Sequence, residues 1–542
     1  MRSTPGNAPL LLDGIHYRIV HDSLPETIPD ALARAAEQFG GIEALVDERE
    51  RLTYAGLRDA AGVAARALVG AGVEPGDRVG MWAPNTTEWV VAALGIYRAG
   101  GVIVPLNTRF KGNEAAFILD DARVKLLFTT TDFLDTDYVA MLRDADAPSL
   151  PGAIVVLRGA TAAGTTSWAD FLAAGDGVTL DAIAARERAL TGDDLSDIMF
   201  TSGTTGRPKG AMLTHGASVR AYDAWSTVVG LQAGDRYLIA NPFFHTFGLK
   251  AGILASILSG STIVPHAVFD VDAIMQRVVD ERITMLPGAP TVYQSILDHP
   301  RVSEFDMSTL RLGVTGAATV PVELIRRIRE ELGFDTMVTG YGLTEATGIA
   351  TMCRHDDDAE TIATRCGRAI PDVEVAVVDE NGKEVPHGEP GEVVVRGYNI
   401  MKGFLNNPEA TAEAIDAAGW LHTGDIGVMD ERSYLRITDR MKDMYIVGGF
   451  NAYPAEIENM MLEHPALSQV TVVGIPDHRM GEVGCAFVIL RPGKEVATDE
   501  LVAWCRERMA NYKVPRRIEI VTEFPLNSTG KVMKDELKAR VS

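Results

Sequence analysis

Thr201-Ser202-Gly203-Thr204-Thr205-Gly206-Arg207-Pro208-Lys209-Gly210 follows directly on the short apolar run Ile198-Met199-Phe200. Glycines let backbone N–H groups approach an anion closely, and a turn at a strand end points several of them at one phosphate. The hydroxyls of Thr201, Ser202, Thr204 and Thr205 add donors, and Lys209 adds positive charge. A flexible Gly/Ser/Thr surface loop is the plain alternative. The run lacks the Gly-x-x-x-x-Gly-Lys-[Ser/Thr] spacing of a Walker A loop. It therefore reads as a phosphate cradle of another class.

Around this loop lie 542 residues, more than one core normally supports, so at least two domains are expected. A hydrophobic fraction of 46% excludes a disordered chain. A formal charge of −23 argues against a nucleic-acid binder, whose footprint would be basic. No run approaches 18 uninterrupted apolar residues, and Met1 to Leu12 lacks a basic segment followed by a long apolar one. Neither a spanning helix nor a secretory signal is expected, and the expected compartment is the cytoplasm. Cys353, Cys366, Cys485 and Cys505 are too few and too scattered for a disulfide framework or a zinc cluster. They read as four reduced thiols.

Apolar residues recur at helical spacing from Ile28 to Phe39 and from Leu57 to Ala71. Pro75-Gly76-Asp77-Arg78 marks a turn, Val79–Trp82 a strand, Trp89–Ala99 a buried helix and Gly101–Pro105 another strand. This alternation indicates parallel-sheet units. It returns with strands at 124–128, 154–157, 237–240, 262–264 and 285–286, and residues 159–166 read as a surface connection. From Val373 to Ile437 short alternating runs suggest a β-rich unit. Past Lys442 the pattern is helix 455–463, strands 469–474 and 484–490, and helix 498–509, a compact α+β unit. The expected fold is α/β: a large N-terminal domain over 1–441 with parallel-type sheets and the β-rich unit at about 373–437, plus a small C-terminal lid over 442–542.

Five motifs in order carry a resemblance that spans nearly the whole chain. They are the run 201–210, Tyr341-Gly342-Leu343-Thr344-Glu345, Thr423-Gly424-Asp425, Asp439-Arg440-x-Lys442-Asp443 and Asn527-Ser528-Thr529-Gly530-Lys531. With them the chain resembles the adenylate-forming superfamily of acyl-CoA synthetases, luciferases and peptide-synthetase adenylation domains. The resemblance implies an ATP-dependent acid:CoA ligase: a carboxylate attacks the α-phosphorus of ATP, and coenzyme A then displaces AMP to give a thioester. It also implies a lid that rotates between the two steps, a carboxylic acid, ATP and CoA as small-molecule partners, and a Mg²⁺ ion. A homodimer is compatible with it.

Site residues follow from the same resemblance, position by position. Thr201, Ser202, Gly203, Thr204, Thr205, Gly206 and Lys209 would hold phosphates, with Lys209, Thr344 and Lys531 as the catalytic set. Glu345, with Thr201, matches the Mg²⁺ position; a carboxylate is a hard oxygen ligand of the kind Mg²⁺ takes. As a plain alternative, Glu345 fits an ordinary helix start. Tyr341 matches the residue stacked on adenine, and Gly316, Ala317 and Ala318 match the wall shared by nucleotide and acyl group. Asp425 and Arg440 match the ribose contacts, although an aspartate after glycine equally fits a turn cap. Lys442 matches the hinge, and Gly448, Gly449 and Phe450 match the loop lining the CoA tunnel. Lys531 lies near the chain's end, where a surface lysine is the default, yet it matches the adenylation lysine.

Asn241-Pro242-Phe243-Phe244-His245-Thr246-Phe247-Gly248 looks like the segment that gates the acyl pocket through Phe244 and His245. A satisfied, partly buried histidine fits His245 equally well. No amine-binding aspartate is evident, position 241 being Asn. An apolar acid is therefore expected, and the resemblance, closest to bacterial fatty-acid or steroid-fragment acyl-CoA ligases, implies a fatty acid or a bicyclic propanoate of steroid degradation. Two other functions stay open, an adenylation enzyme serving a carrier protein and a catalytically inactive relative.

Overall fold

Thr86 caps the helix Thr87–Ala99 by accepting from the backbone N–H of Trp89, and Gly100 closes it in the left-handed conformation at φ 82°. The helix is buried along almost its whole circumference because it packs between a sheet and the helix Tyr54–Gly70. Gly95 makes that crossing possible: a Cβ there would stand 2.6 Å from the Ala64 Cβ. The alanine-rich face of Tyr54–Gly70 is thus a device for close helix packing.

The structure is a computed structural model that describes residues 24–145, 150–201, 207–316, 320, 322–440, 445–452, 454–525 and 532–541. A seven-stranded sheet runs in the order Thr166–Ser167, Ala153–Arg158, Leu126–Thr130, Arg78–Trp82, Val102–Pro105, Leu195–Thr201, Lys209–Thr214. All neighbours are parallel except the last pair. Parallel strands need helical crossovers, and these cover both faces with apolar side chains.

A second sheet orders Arg236–Ile239, Thr262–Pro265, Glu43–Val46 and Arg51–Thr53. A third orders Leu312–Thr315, Thr336–Tyr341, Thr351–Met352 and Arg368–Ala369. Where the sequence suggests a strand at 285–286, the chain makes only single-residue bridges, Met285 to Tyr237 and to Leu312. Flanked by Pro287 and Gly288, the segment is too short for a ladder, yet it stitches the two sheets into one layer. The expected strand at 124–128 begins two residues later, at Leu126, since Val124 and Lys125 still form the turn out of the preceding helix.

Val373–Val378, Pro390–Gly397, Leu421–Met429 and Leu435–Arg440 form an antiparallel meander. Beyond it, Phe450–Ala452, Tyr445–Val447, Gly481–Leu490 and Leu467–Asp477 make a further sheet, with Arg517–Ile520 parallel to Gly481–Leu490. The helices Pro454–Leu462, Thr498–Arg508 and Lys534–Ala539 accompany this sheet. Its core draws on residues from Tyr445 to Leu537, whereas the largest core draws on residues from Ile28 to Leu435. The fold is α/β, a large mixed-sheet N-terminal domain with a smaller α+β C-terminal one. Among the described residues no helix is long and apolar enough to cross a membrane. All four cysteines are free, and burial pushes the Cys353 and Cys505 thiols up to about 12.

Candidate active site

Thr201 ends one strand of the antiparallel pair Leu195–Thr201/Lys209–Thr214 and stands opposite Lys209. The two residues form the base of the phosphate-type loop; Ser202, Gly203, Thr204, Thr205 and Gly206 lie outside the described residues. The Thr201 hydroxyl donates to Glu345 Oε1 at 3.4 Å and approaches the Lys209 carbonyl at 3.5 Å. A side chain 144 positions away thus meets the loop, as the resemblance implies. Lys209 Nζ lies 5.4 Å over the Phe404 ring.

The strand Thr336–Tyr341 delivers Tyr341, and the short 3₁₀ turn Thr344–Ala346 follows at once. Asn399, fully buried, clamps that turn: its side-chain amide donates to the Ala346 and Ile349 carbonyls, and its backbone carbonyl accepts from the Thr347 hydroxyl. Met401 donates its N–H to the Glu345 carbonyl at 2.8 Å, and residues 402–405 hydrogen-bond alongside Lys209–Thr214. Thr344, Glu345, Thr201 and Lys209 therefore share one scaffold, and no sequence pattern had marked Asn399.

Tyr341 occupies the position matched to adenine stacking, and its hydroxyl donates to Asp425 Oδ2 at 2.7 Å. Asp425 is buried and stands in register with Arg440 on the neighbouring strand, whose side chain lies outside the described set. Thr423 and Gly424 lie within the strand Leu421–Met429 and not at the expected turn, and this stretch is held twice: Thr423 donates to the Val393 carbonyl, and Glu392 Oε1 accepts the Gly424 N–H at 3.1 Å. The other Glu392 oxygen lies 2.8 Å from His422 Nδ1. This hydrogen bond, with the nearby Asp416 carboxylate, pushes the His422 pKa above its ordinary value against partial burial. Glu392 and His422 are functional candidates that sequence reading missed; the signal is a carboxylate facing the Thr-Gly-Asp stretch across a strand pair.

His245 is exposed to solvent, yet protein surrounds it on most sides, and this desolvation lowers its pKa. Its Nδ1 accepts the Phe247 N–H at 3.2 Å, a local hydrogen bond that fits either reading of this histidine. Phe244 beside it is half-buried. Gly348 brings this segment against the Glu345 turn: at φ 94° its absent Cβ would fall 2.5 Å from the Tyr222 hydroxyl and 2.8 Å from Thr246. Gly316 lies beside the end of the strand Thr336–Tyr341, its missing Cβ position 3.5 Å from the Gly340 carbonyl. Ala317 and Ala318 lie outside the described residues.

Just after His245 the chain winds as a π-helix, Phe247–Leu254, carrying the fully buried Lys250. Lys250 donates to Asp197 and to the Ser218 hydroxyl, and Asp197 also accepts from Tyr97 and Ser196. Asp197 belongs to the strand that ends at Thr201, so one ion pair links the phosphate strand to the histidine segment. A lone lysine inside the apolar run 247–258 was the available signal.

Gly448, Gly449 and Phe450 sit elsewhere, on the C-terminal sheet. Both glycines are exposed and left-handed, at φ 55° and 86°. Phe450 stacks on Tyr512 at 4.9 Å and receives the Arg109 guanidinium at 4.6 Å. Lys442 and Lys531 lie outside the described residues.

A Mg²⁺ ion fits the donor set at Glu345 and Thr201, a carboxylate and a hydroxyl oxygen. Among the described residues no cluster of three or more His, Cys, Asp or Glu side chains is placed to cage a metal, so an ion there would complete its shell with phosphate oxygens and water.

A family profile described as AMP-binding enzyme matches residues 32–405, and one described as AMP-binding enzyme C-terminal domain matches residues 456–531. The chain is 50% identical to a 3-[(3aS,4S,7aS)-7a-methyl-1,5-dioxo-octahydro-1H-inden-4-yl]propanoyl:CoA ligase of Rhodococcus jostii, over 95% of this chain and 98% of that one. A Mycobacterium tuberculosis protein of the same description is 49% identical over 94% and 98%. The o-succinylbenzoate CoA synthetase of Bacillus subtilis, 27% identical, superposes at two different levels. As a double variant with a product analogue it gives a TM-score of 0.77, covering 94% of this chain and 97% of that one. In complex with AMP it gives 0.63, covering 94% and 98%. The chain belongs to the AMP-binding enzyme family and is an AMP-forming acid:CoA ligase that makes an acyl-CoA thioester from ATP, an acid and CoA through an acyl-adenylate.

Proposed function

We propose that the acid is a bicyclic propanoate of the methyl-dioxo-octahydroindenyl kind. The observation that carries this reading is the 50% identity over 95% of the chain to a ligase described for that acid. The site supports it. Position 241 is Asn, and no amine-binding carboxylate is evident near it.

In the first step a carboxylate oxygen bonds to the α-phosphorus as the bond to pyrophosphate breaks. Negative charge then concentrates on phosphoryl oxygens. Fixed donors aimed at such charge contribute roughly 10²–10³-fold each. Thr201, Lys209 and Thr344 supply them, and Lys531 joins them from the C-terminal domain. Glu345, with Thr201, would hold a Mg²⁺ ion, which would supply charge neutralisation on the departing phosphates. Tyr341, Asp425 and Arg440 hold adenine and ribose. In the second step the CoA sulfur bonds to the acyl carbon, AMP leaves with the former phosphate–acyl oxygen, and the thiol proton passes to solvent. His245 and Phe244 gate the acid, and Gly448, Gly449 and Phe450 flank the thiol arm. The large domain runs to residue 441, Lys442 is the hinge and 442–542 the rotating lid. The cytoplasm is the compartment this reading assigns to the work.

Competition among the bicyclic propanoate, medium-chain fatty acids and aryl acids tests the substrate. Methylene-scale differences discriminate by only about 1–3 kcal/mol, so neighbours overlap as weak substrates. The bicyclic acid should nonetheless lead in kcat/KM. A fatty or aryl acid used equally well would overturn the assignment.

A further inference from the structure

Lys513 is 1% exposed, and its ammonium donates to two carboxylates at once, Glu456 Oε1 at 2.6 Å and Glu114 Oε1 at 2.7 Å. Glu456 belongs to the C-terminal helix Pro454–Leu462, whereas Glu114 starts the helix Gly112–Asp121 of the large domain. The ammonium also lies 4.7 Å from the Phe110 ring, and Phe110 packs against the C-terminal core. Tyr512, next in the chain, stacks on Phe450, which in turn receives Arg109. Two cations and two aromatic rings thus cross between the domains on one patch, at the base of the loop Gly448–Phe450.

Burial opposes the charge on Lys513, but Tyr512, Glu114 and Glu456 outweigh it and hold the pKa above the ordinary value. Glu456 travels with Lys513, so that pair survives any movement of the C-terminal domain. Glu114 belongs to the large domain, so a movement of the C-terminal domain would part it from Lys513. The arrangement also superposes better on the synthetase holding a thioester-product analogue than on the same protein holding AMP, 0.77 against 0.63.

We infer that Glu114 is a positioning residue for the thioester step, acting through Lys513 to dock the loop Gly448–Phe450 against the large domain. The inference rests on the two-position reading of the lid. Without Glu114 the docked position loses a buried charge-assisted hydrogen bond, while the position used for adenylation loses nothing. The Glu114 carboxylate also accepts the Lys111 N–H at the start of its own helix. Glutamine preserves that cap, which makes Glu114→Gln the informative variant.

The experiment measures each half-reaction. Loss of a charge-assisted hydrogen bond should slow conversion of supplied acyl-adenylate plus CoA by about 10-fold or more, with ATP–pyrophosphate exchange within about 2-fold of the parent. Equal slowing of both steps would assign Glu114 a purely structural role, and an unchanged thioester step would remove the latch; either outcome overturns the inference. A second measurement needs no turnover. Spin labels at the exposed positions of Glu37→Cys and Glu495→Cys report the distance between the domains. Glu114→Gln should broaden a narrow distribution, and an unaltered distribution overturns the inference. Were no acid to support turnover, the substrate reading would fail while the label distances still decided the latch.

Discussion

Lys250 and Lys513 are each 1% exposed and each bonded to carboxylate, but they join very different things. Lys250 meets one carboxylate, Asp197, inside the large core, and burial drives its pKa below the ordinary lysine value despite that partner. Lys513 meets two carboxylates and lies against aromatic rings, and its pKa moves the other way. Beside one carboxylate burial prevails; beside Tyr512 and two carboxylates it does not. The second carboxylate comes from another domain, so the same chemistry that is a fixed clamp at Lys250 becomes a separable contact at Lys513.

The largest expected effect lies at the fixed clamp. Asp197→Ala strands the Lys250 ammonium and removes the acceptor of Tyr97 and Ser196, so unfolding free energy should drop by about 3–5 kcal/mol in urea titration. Both half-reactions should fall together, in proportion to the folded fraction. Adding Lys250→Met should restore much of the stability, because a well-packed apolar pair replaces a buried ionic one with little loss. If Asp197→Ala is nearly neutral, the contrast between clamp and latch disappears.

Next in size is Lys531, proposed above to serve adenylation from the C-terminal domain. Lys531→Ala should lower adenylate formation by roughly 10²–10³-fold while conversion of supplied adenylate to thioester stays close to parental. With Glu114→Gln showing the reverse pattern, single-turnover assays of the two variants would separate the lid's two positions. Coincident losses in both steps would merge them.

A smaller effect is expected where a carboxylate acts through the backbone. Glu392→Ala removes the acceptor of the Gly424 N–H, and one charge-assisted hydrogen bond is worth about 1.5–3 kcal/mol. The KM for ATP should rise about 10-fold with the KM for the acid unmoved. Glutamine at 392 keeps an acceptor and should recover most of the affinity. A change in acid KM instead would mean that Glu392 supports the acyl side.

The smallest effect is a pH dependence at the same stretch. His422 gains from Glu392 and Asp416 when protonated, so its folded pKa lies above the unfolded one. Its contribution is complete below the unfolded value, near the ordinary 6.5, and fades as pH rises through the raised folded value. The thermal midpoint of the parent minus that of His422→Gln should therefore shrink from pH 6 upward. A difference that grows with pH would reverse the assigned charge.

Much of this architecture is written locally. Alternating apolar strands and helices gave the parallel sheet from Arg78 to Thr201, and three of the five short motifs marked residues that meet, Thr201 with Glu345 and Tyr341 with Asp425, while the motif at 527–531 lies outside the described residues. What stayed hidden is pairing at a distance. Asn399 looks like any loop asparagine until Ala346 and Ile349 are folded against it. Lys250 stands out in its apolar run, but nothing nearby names Asp197 as its partner, 53 positions away. Glu114 and Lys513 are 399 positions apart, and only the packed structure shows one ammonium facing two acids. Met285 marks the opposite failure: its local pattern promises a strand, and its proline and glycine neighbours limit it to a bridge.

The π-helix Phe247–Leu254 has an evolutionary consequence. Such a segment holds one more residue per turn than an α-helix would, so it is a single-codon deletion away from ordinary winding. Lys250 is tied to Asp197 and would keep its place. Removing one residue between His245 and Lys250 would then swing everything upstream by about 100°, one residue's rotation on an α-helix. His245 would leave its place, and a different side chain would take it. If His245 gates the acid as proposed, a lineage could in this way exchange that side chain in one mutational step, with Phe243, buried in the core two residues before it, having to repack.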